Sequence, residues 1–131
     1  MINKEREVAI PWNVTQRRKV RSALAKYPAD SSKCAAAARR VLPVAKEVHP
    51  GAYGIQLLPV EPAPYLLTTG GHRKWYHHVL VEVIEHRVDA LTGPSGDPAR
   101  QYLALRFQYP DDIRESAVDV ESVDPGIQSD D

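Results

Sequence analysis

Residues 75–93 read WYHHVLVEVIEHRVDALTG. Two histidines, His77 and His78, open the stretch. An apolar, mostly β-branched run follows from Val79 to Ile84, interrupted by Glu82. The polar pair Glu85 and His86 marks a turn. A second short run carries Asp89 and stops at Leu91-Thr92-Gly93-Pro94. Runs of this type, bounded by polar and Gly/Pro residues, predict the two strands of a hairpin. A histidine opening one strand and an aspartate on its partner then lie side by side across the ladder. An imidazole held by a carboxylate is half of a nucleophilic triad.

The other half needs a nucleophile. The chain has one cysteine, Cys34. It begins the segment CAAAARRVLPVAKEV, whose alanines make it strongly helical, with Pro43 expected to kink or break it. Asp30, Ser31 and Ser32 are its candidate caps. Cys34 then falls in the first turn, where unpaired N–H groups point outward and the helix dipole favours an anion. Such a place activates a thiol as a nucleophile. Cys34, Ala37, Ala38 and Val41 also form an apolar stripe, in which a free cysteine serves as a small core residue.

Upstream, residues 1–12 read as an irregular or strand-like lead-in ending at Pro11-Trp12. Asn13 or Thr15 can cap a first helix. Val14, Val20, Ala23, Leu24 and Tyr27 recur along it at helical spacing, with Arg17, Arg18, Lys19 and Arg21 between them, and Pro28 ends it. No aromatic residues interleave these charges as stacking on nucleic acid requires, so they read as a solvated face. Between the second helix and the hairpin, His49-Pro50-Gly51 is a turn, Tyr53 to Val60 a strand, and Tyr65 to Thr68 a further short strand. Beyond the hairpin, Asp97 is expected to cap a helix with Pro98 in its first turn, running to about Phe107. Residues 115–131 show no sustained period, and the last ten are expected to be poorly ordered.

The 131 residues suit one domain. Net charge is zero but unevenly placed: residues 1–50 hold eleven Lys/Arg against four Asp/Glu, and residues 111–131 hold eight Asp/Glu against one Arg. These counts set an acidic C-terminal tail over 115–131 apart from a single domain over residues 1–114. One cysteine excludes an internal disulfide framework. The charged start MINKEREVAI has no apolar segment of the kind a signal peptide needs, and no apolar run approaches a membrane span. The expectation is therefore a cytoplasmic protein, or one secreted by a route independent of a signal peptide, without membrane or nucleic-acid partners.

The order Cys34, His78, Asp89, with the cysteine heading a helix and the histidine opening a hairpin, resembles the papain-like superfamily in its broad sense. That group includes transglutaminase-like and bacterial papain-fold toxin domains. His78-Val-Leu-Val-Glu-Val83 is similar to the His-x-x-Val-Glu-Val strand of those domains, and Asp89 follows eleven residues on. The likeness covers about residues 31–93. It implies an α+β fold in which N-terminal helices pack on an antiparallel sheet. It further implies that the domain over residues 1–114 is catalytic, a cysteine hydrolase of a carboxamide, acting as protease, amidase or glutamine deamidase, in a bacterial effector or toxin module. Its substrate would be a protein or peptide, with a cognate immunity or inhibitor protein as a further partner. An amine acceptor would instead make the chain a transglutaminase or acyltransferase. A backbone N–H near the start of the second helix would bind the oxyanion. No glutamine precedes Cys34 at the papain spacing, and Gln16 on the first helix is the available substitute.

Strand parity raises a competing base. Val79, Val81 and Val83 share a face with His77, whereas Leu80, Glu82 and Ile84 share one with His78. If the valine face meets the Cys34 helix, parity selects His77; the family spacing selects His78, which is the assignment adopted. Two other readings exist. His72, His77, His78 and His86 with Asp89 or Glu85 could hold a metal, but adjacent strand residues point to opposite faces, so no metal or cofactor is expected. Alternatively the hairpin with Trp75 and Tyr76 forms a non-catalytic protein-binding surface.

Overall fold

The computed structural model describes residues 9–72 and 74–123. Residues 1–8 of the lead-in and residues 124–131, on which most of the expected disorder falls, lie outside them. The described residues form an α+β fold of three α-helices and a five-stranded antiparallel sheet.

Helix α1 spans Val14–Lys26. Asn13 caps it in a reciprocal box: Asn13 Oδ1 accepts from the Gln16 N–H at 2.7 Å, and Gln16 Oε1 accepts from the Asn13 N–H at 2.9 Å. Val20, Ala23 and Leu24 face the core, while Val14, expected on the same stripe, is exposed. Helix α2 spans Cys34–Val48 and runs through Pro43 without a break. Pro43 lies on the exposed side of the helix, where a carbonyl left unbonded can be hydrated, which lowers the cost.

The strands are β1 (Tyr53–Pro59), β2 (His78–Val83), β3 (His86–Val88), β4 (Asp97–Pro98) and β5 (Ile113–Val118), in the order β4-β3-β2-β1-β5. The β2–β3 hairpin turns at Ile84 and Glu85, both at positive φ (46° and 60°), and Val83 pairs with His86. The turn therefore sits one residue earlier than the expected Glu85-His86. A two-residue turn whose twist matches the strands needs positive φ at both central positions, and here that demand overrides the poor fit of a β-branched residue. Tyr65 to Thr68 makes only single bridges, Leu66 to Trp75 and Thr68 to Phe107.

The sheet separates two cores. Val79, Val81, Val83 and Val88 pack with α1 and α2. Ile55, Leu57 and Leu80 lie on the other face with Leu66, Trp75, Tyr102 and Phe107. Tyr102 belongs to α3, Ala99–Arg106. That helix starts later than expected because Asp97 and Pro98 pair with β3 as strand β4. The Asp97 carboxylate binds Arg106 at 2.7 and 2.9 Å instead of capping the helix.

The acidic tail expected from residue 115 is corrected most. Residues 113–118 are strand β5, paired with β1 over Gly54–Pro59. The Glu115 carboxylate accepts two hydrogen bonds from Arg87, each 2.8 Å. That pairing holds Glu115 below the usual carboxylate range. Val120 is buried, and the Arg39 guanidinium donates to the carbonyls of Val120, Glu121 and Val123. The catalytic-domain boundary expected after residue 114 thus cuts through a strand. Gly54 shows how closely this segment packs. A Cβ there would lie 2.4 Å from Val120 Cγ1 and 3.0 Å from the Val118 carbonyl. Gly54→Ala should destabilise the fold by about 1–3 kcal/mol, the range for overpacking a core. An unchanged thermal midpoint would contradict the seating of Val120.

Candidate active site

The site lies where three elements end or begin together. Cys34 is the first residue of α2. None of the candidate caps Asp30, Ser31 and Ser32 caps this helix: Ala29–Ser31 form a 3-10 turn, Ser32 takes a left-handed conformation, and Lys33 occupies the cap without a side-chain hydrogen bond. Ser31 Oγ instead accepts from the Lys33 N–H at 3.2 Å. The first amide groups of α2 therefore have no side-chain acceptor at the cap.

His78 opens β2 and Asp89 follows the last residue of β3. Register places Val88 opposite Val81, so Asp89 lies next to Leu80 on the sheet face that also carries His78. Both side chains are almost completely buried, at 3 and 4 % exposure. His78 Nε2 donates to Asp89 Oδ2 at 2.8 Å. The Trp75 ring stacks on the imidazole, with centroids 4.7 Å apart. Burial by itself would lower the His78 pKa. Interactions with Asp89 first and then with Cys34 outweigh burial and raise it to about 9. For Asp89, burial pushes upward, but the bond and charge of His78 and the bonds from Tyr102 and Thr92 hold it below its ordinary value. Since Nε2 is taken by Asp89, Nδ1 is the ring nitrogen left to interact with Cys34, which is among the causes of the rise at His78.

The structure thus brings together Cys34, His78 and Asp89, the three residues singled out in sequence. The valine face does meet α2, which is the condition under which parity selects His77. Parity places His78 on the opposite, Leu80 face, where Trp75 stacks on its ring and Phe107 lies beside it. From that face the ring binds Asp89 Oδ2, and Cys34 at the start of α2 is among the groups that raise its pKa.

The remaining candidates are elsewhere. Gln16 is bound into the α1 capping box, and its Nε2 donates to Glu47 at 3.2 Å. His86 Nδ1 donates to the Ile84 carbonyl at 2.8 Å. His72 Nδ1 lies 2.9 Å from Thr68 Oγ1. Among the described residues no three His, Cys, Asp or Glu side chains converge as a metal site, and no helix is long and apolar enough to cross a membrane. Trp75 and Tyr102 are the contributors that sequence reasoning missed. Trp75 precedes the histidines and read as a surface aromatic, and Tyr102 read as one position of a short helix.

Compared with protein-family models, curated proteins and solved structures, the chain matches none.

Proposed function

We propose that the chain is a cysteine-dependent acyl-transfer enzyme acting on a carboxamide, with a papain-like arrangement of its helices and sheet. The observation that carries this reading is the buried His78–Asp89 hydrogen bond of 2.8 Å, on a ring whose protonation also responds to Cys34. In the proposed reaction Cys34 passes its thiol proton to His78 Nδ1 and its Sγ attacks the carboxamide carbon. A C–S bond forms and the oxygen takes the negative charge beside the uncapped amides of α2. The carbonyl then re-forms, the C–N bond breaks, and His78 gives its Nδ1 proton to the departing nitrogen. Water next attacks the thioester while His78 takes a proton from it; the C–S bond breaks, the acid leaves, and His78 returns the proton to Sγ, restoring the thiol–imidazole pair. With water as acceptor the product is that of a protease, amidase or glutamine deamidase; an amine acceptor makes the same site a transglutaminase. Asp89 keeps the proton on Nε2 and balances the imidazolium, the orienting role of a third triad member. The effector or toxin setting, with a protein or peptide substrate, rests on the likeness of the β2 sequence.

One observation favours a second reading. Cys34 is only 8 % exposed and belongs to the α1–α2 core, as a small core residue of a non-catalytic binding module would. Iodoacetamide separates the two. The enzyme reading expects Cys34 to be carboxymethylated about tenfold faster at neutral pH than an ordinary exposed thiol, with a pH profile that follows His78. A rate at or below that of free cysteine, with no inflection from His78, would leave only the binding module.

A further inference from the structure

Tyr102 sits in the middle of α3 and is completely buried. A buried phenol needs an acceptor for its O–H. It finds one in Asp89 Oδ2, the oxygen that also accepts from His78 Nε2. The other oxygen, Oδ1, accepts from the N–H groups of Leu91 and Thr92 at 2.9 and 3.1 Å. Each carboxylate oxygen therefore receives two donors, which fills its acceptor capacity. The carboxylate cannot rotate without losing a bond. The phenol ring is itself fixed, edge-on to Phe107 with centroids 5.9 Å apart and beneath the Arg87 guanidinium at 5.7 Å.

We propose that Tyr102 is a positioning residue of this site, which acts through Asp89 to hold His78 in one orientation and one tautomer, with Nδ1 toward Cys34. The inference rests on the reading of Cys34, His78 and Asp89 as the reacting set. Tyr102 acts on the carboxylate, not on the substrate. Its donor spreads the charge of Asp89 and so limits how strongly that carboxylate binds the imidazolium. Without the hydroxyl, Asp89 would concentrate its charge on His78, and the ring would become more basic. The ionisable groups facing this chain are Cys34 from α2, Arg87 from β3, Asp97 from β4 and Arg106 from α3. Arg87 and Arg106 are each bound to a carboxylate of their own, Glu115 and Asp97.

The test is Tyr102→Phe in the full chain, which keeps the ring and removes the hydroxyl. The titration of the His78 ring nitrogens is followed by NMR, and alkylation of Cys34 by iodoacetamide is followed from pH 5 to 10. The expected result is an upward shift of the His78 midpoint by about half a unit or more, with the inflection of the alkylation profile moving by the same amount. A lowered melting temperature with an unmoved His78 midpoint would overturn the proposal and leave Tyr102 as core packing. If Tyr102→Phe does not fold, replacing tyrosine by 3-fluorotyrosine, a stronger donor, should shift the midpoint the opposite way. An unmoved midpoint there would overturn the proposal equally. A midpoint that moves while alkylation shows no dependence on His78 supports the Tyr102–Asp89–His78 coupling and refutes the enzyme reading alone.

Discussion

Ending the chain at residue 112 should abolish cooperative folding, even though the removed segment looks like a polar, acidic end. Strand β5 pairs with β1 across six residue positions, and a net backbone hydrogen bond contributes about 0.5–1.5 kcal/mol. Val120 closes the core against Gly54, and burying a valine contributes about 1.5–3 kcal/mol. Removal also strips Arg87 of its bidentate partner and Arg39 of three carbonyl acceptors. A buried guanidinium left with fewer acceptors is destabilising in its own right. Together these losses rival the whole stability of a small domain, about 5–15 kcal/mol. Circular dichroism and denaturant titration of the truncated chain would measure this. A cooperative transition at the full-length midpoint would mean that β5 contributes nothing.

His78→Ala should lower turnover by about 10²–10⁴-fold, the usual contribution of a general acid–base group, while His77→Ala retains most of it. Turnover is measured as amine or ammonia released from a pool of glutamine-containing peptides. The reverse ranking would hand the role to His77. The pH dependence has a definite sign. His78 is raised to about 9, so it remains a proton donor to the departing nitrogen through neutral pH, and activity should fall as pH climbs past about 9. Stability follows the same direction. A histidine whose folded pKa exceeds its unfolded value stabilises fully below about pH 6.5, and that contribution is lost as pH rises through about 9. Asp89 is shifted downward, so its contribution is present above about pH 4 and is lost as acid protonates it. Denaturant unfolding of the parent chain should weaken between pH 6.5 and 9 relative to His78→Ala. Parallel curves would refute the shift.

Local features were readable because they depend on neighbours in sequence. Asn13 capping α1, the helix beginning at Cys34 and the valine run of β2 each follow from propensity and spacing over a few residues. The turn at Ile84-Glu85 and the late start of α3 were misplaced because pairing partners, not local preference, set them. Register with β3 draws Asp97 and Pro98 into the sheet, where Arg106 then takes the carboxylate.

By itself the sequence determined an α+β composition and put a lone thiol at a helix start, a histidine at a strand start and an aspartate on the partner strand. Only the tertiary structure decided which histidine meets that aspartate. Face placement against α2 pointed to His77, whereas His78 and Asp89 share the Leu80 face and meet there once β2 and β3 are paired. It also decided the fate of the acidic end. Ile113, Val118 and Val120 are too sparse to announce a strand, and charges such as Glu115 read as solvated until Arg87 is brought against them. Tyr102 joins the site for the same reason. Hydrogen bonds between residues far apart in the chain leave no period in sequence, and they appear only when packing removes water and each buried donor must find its acceptor.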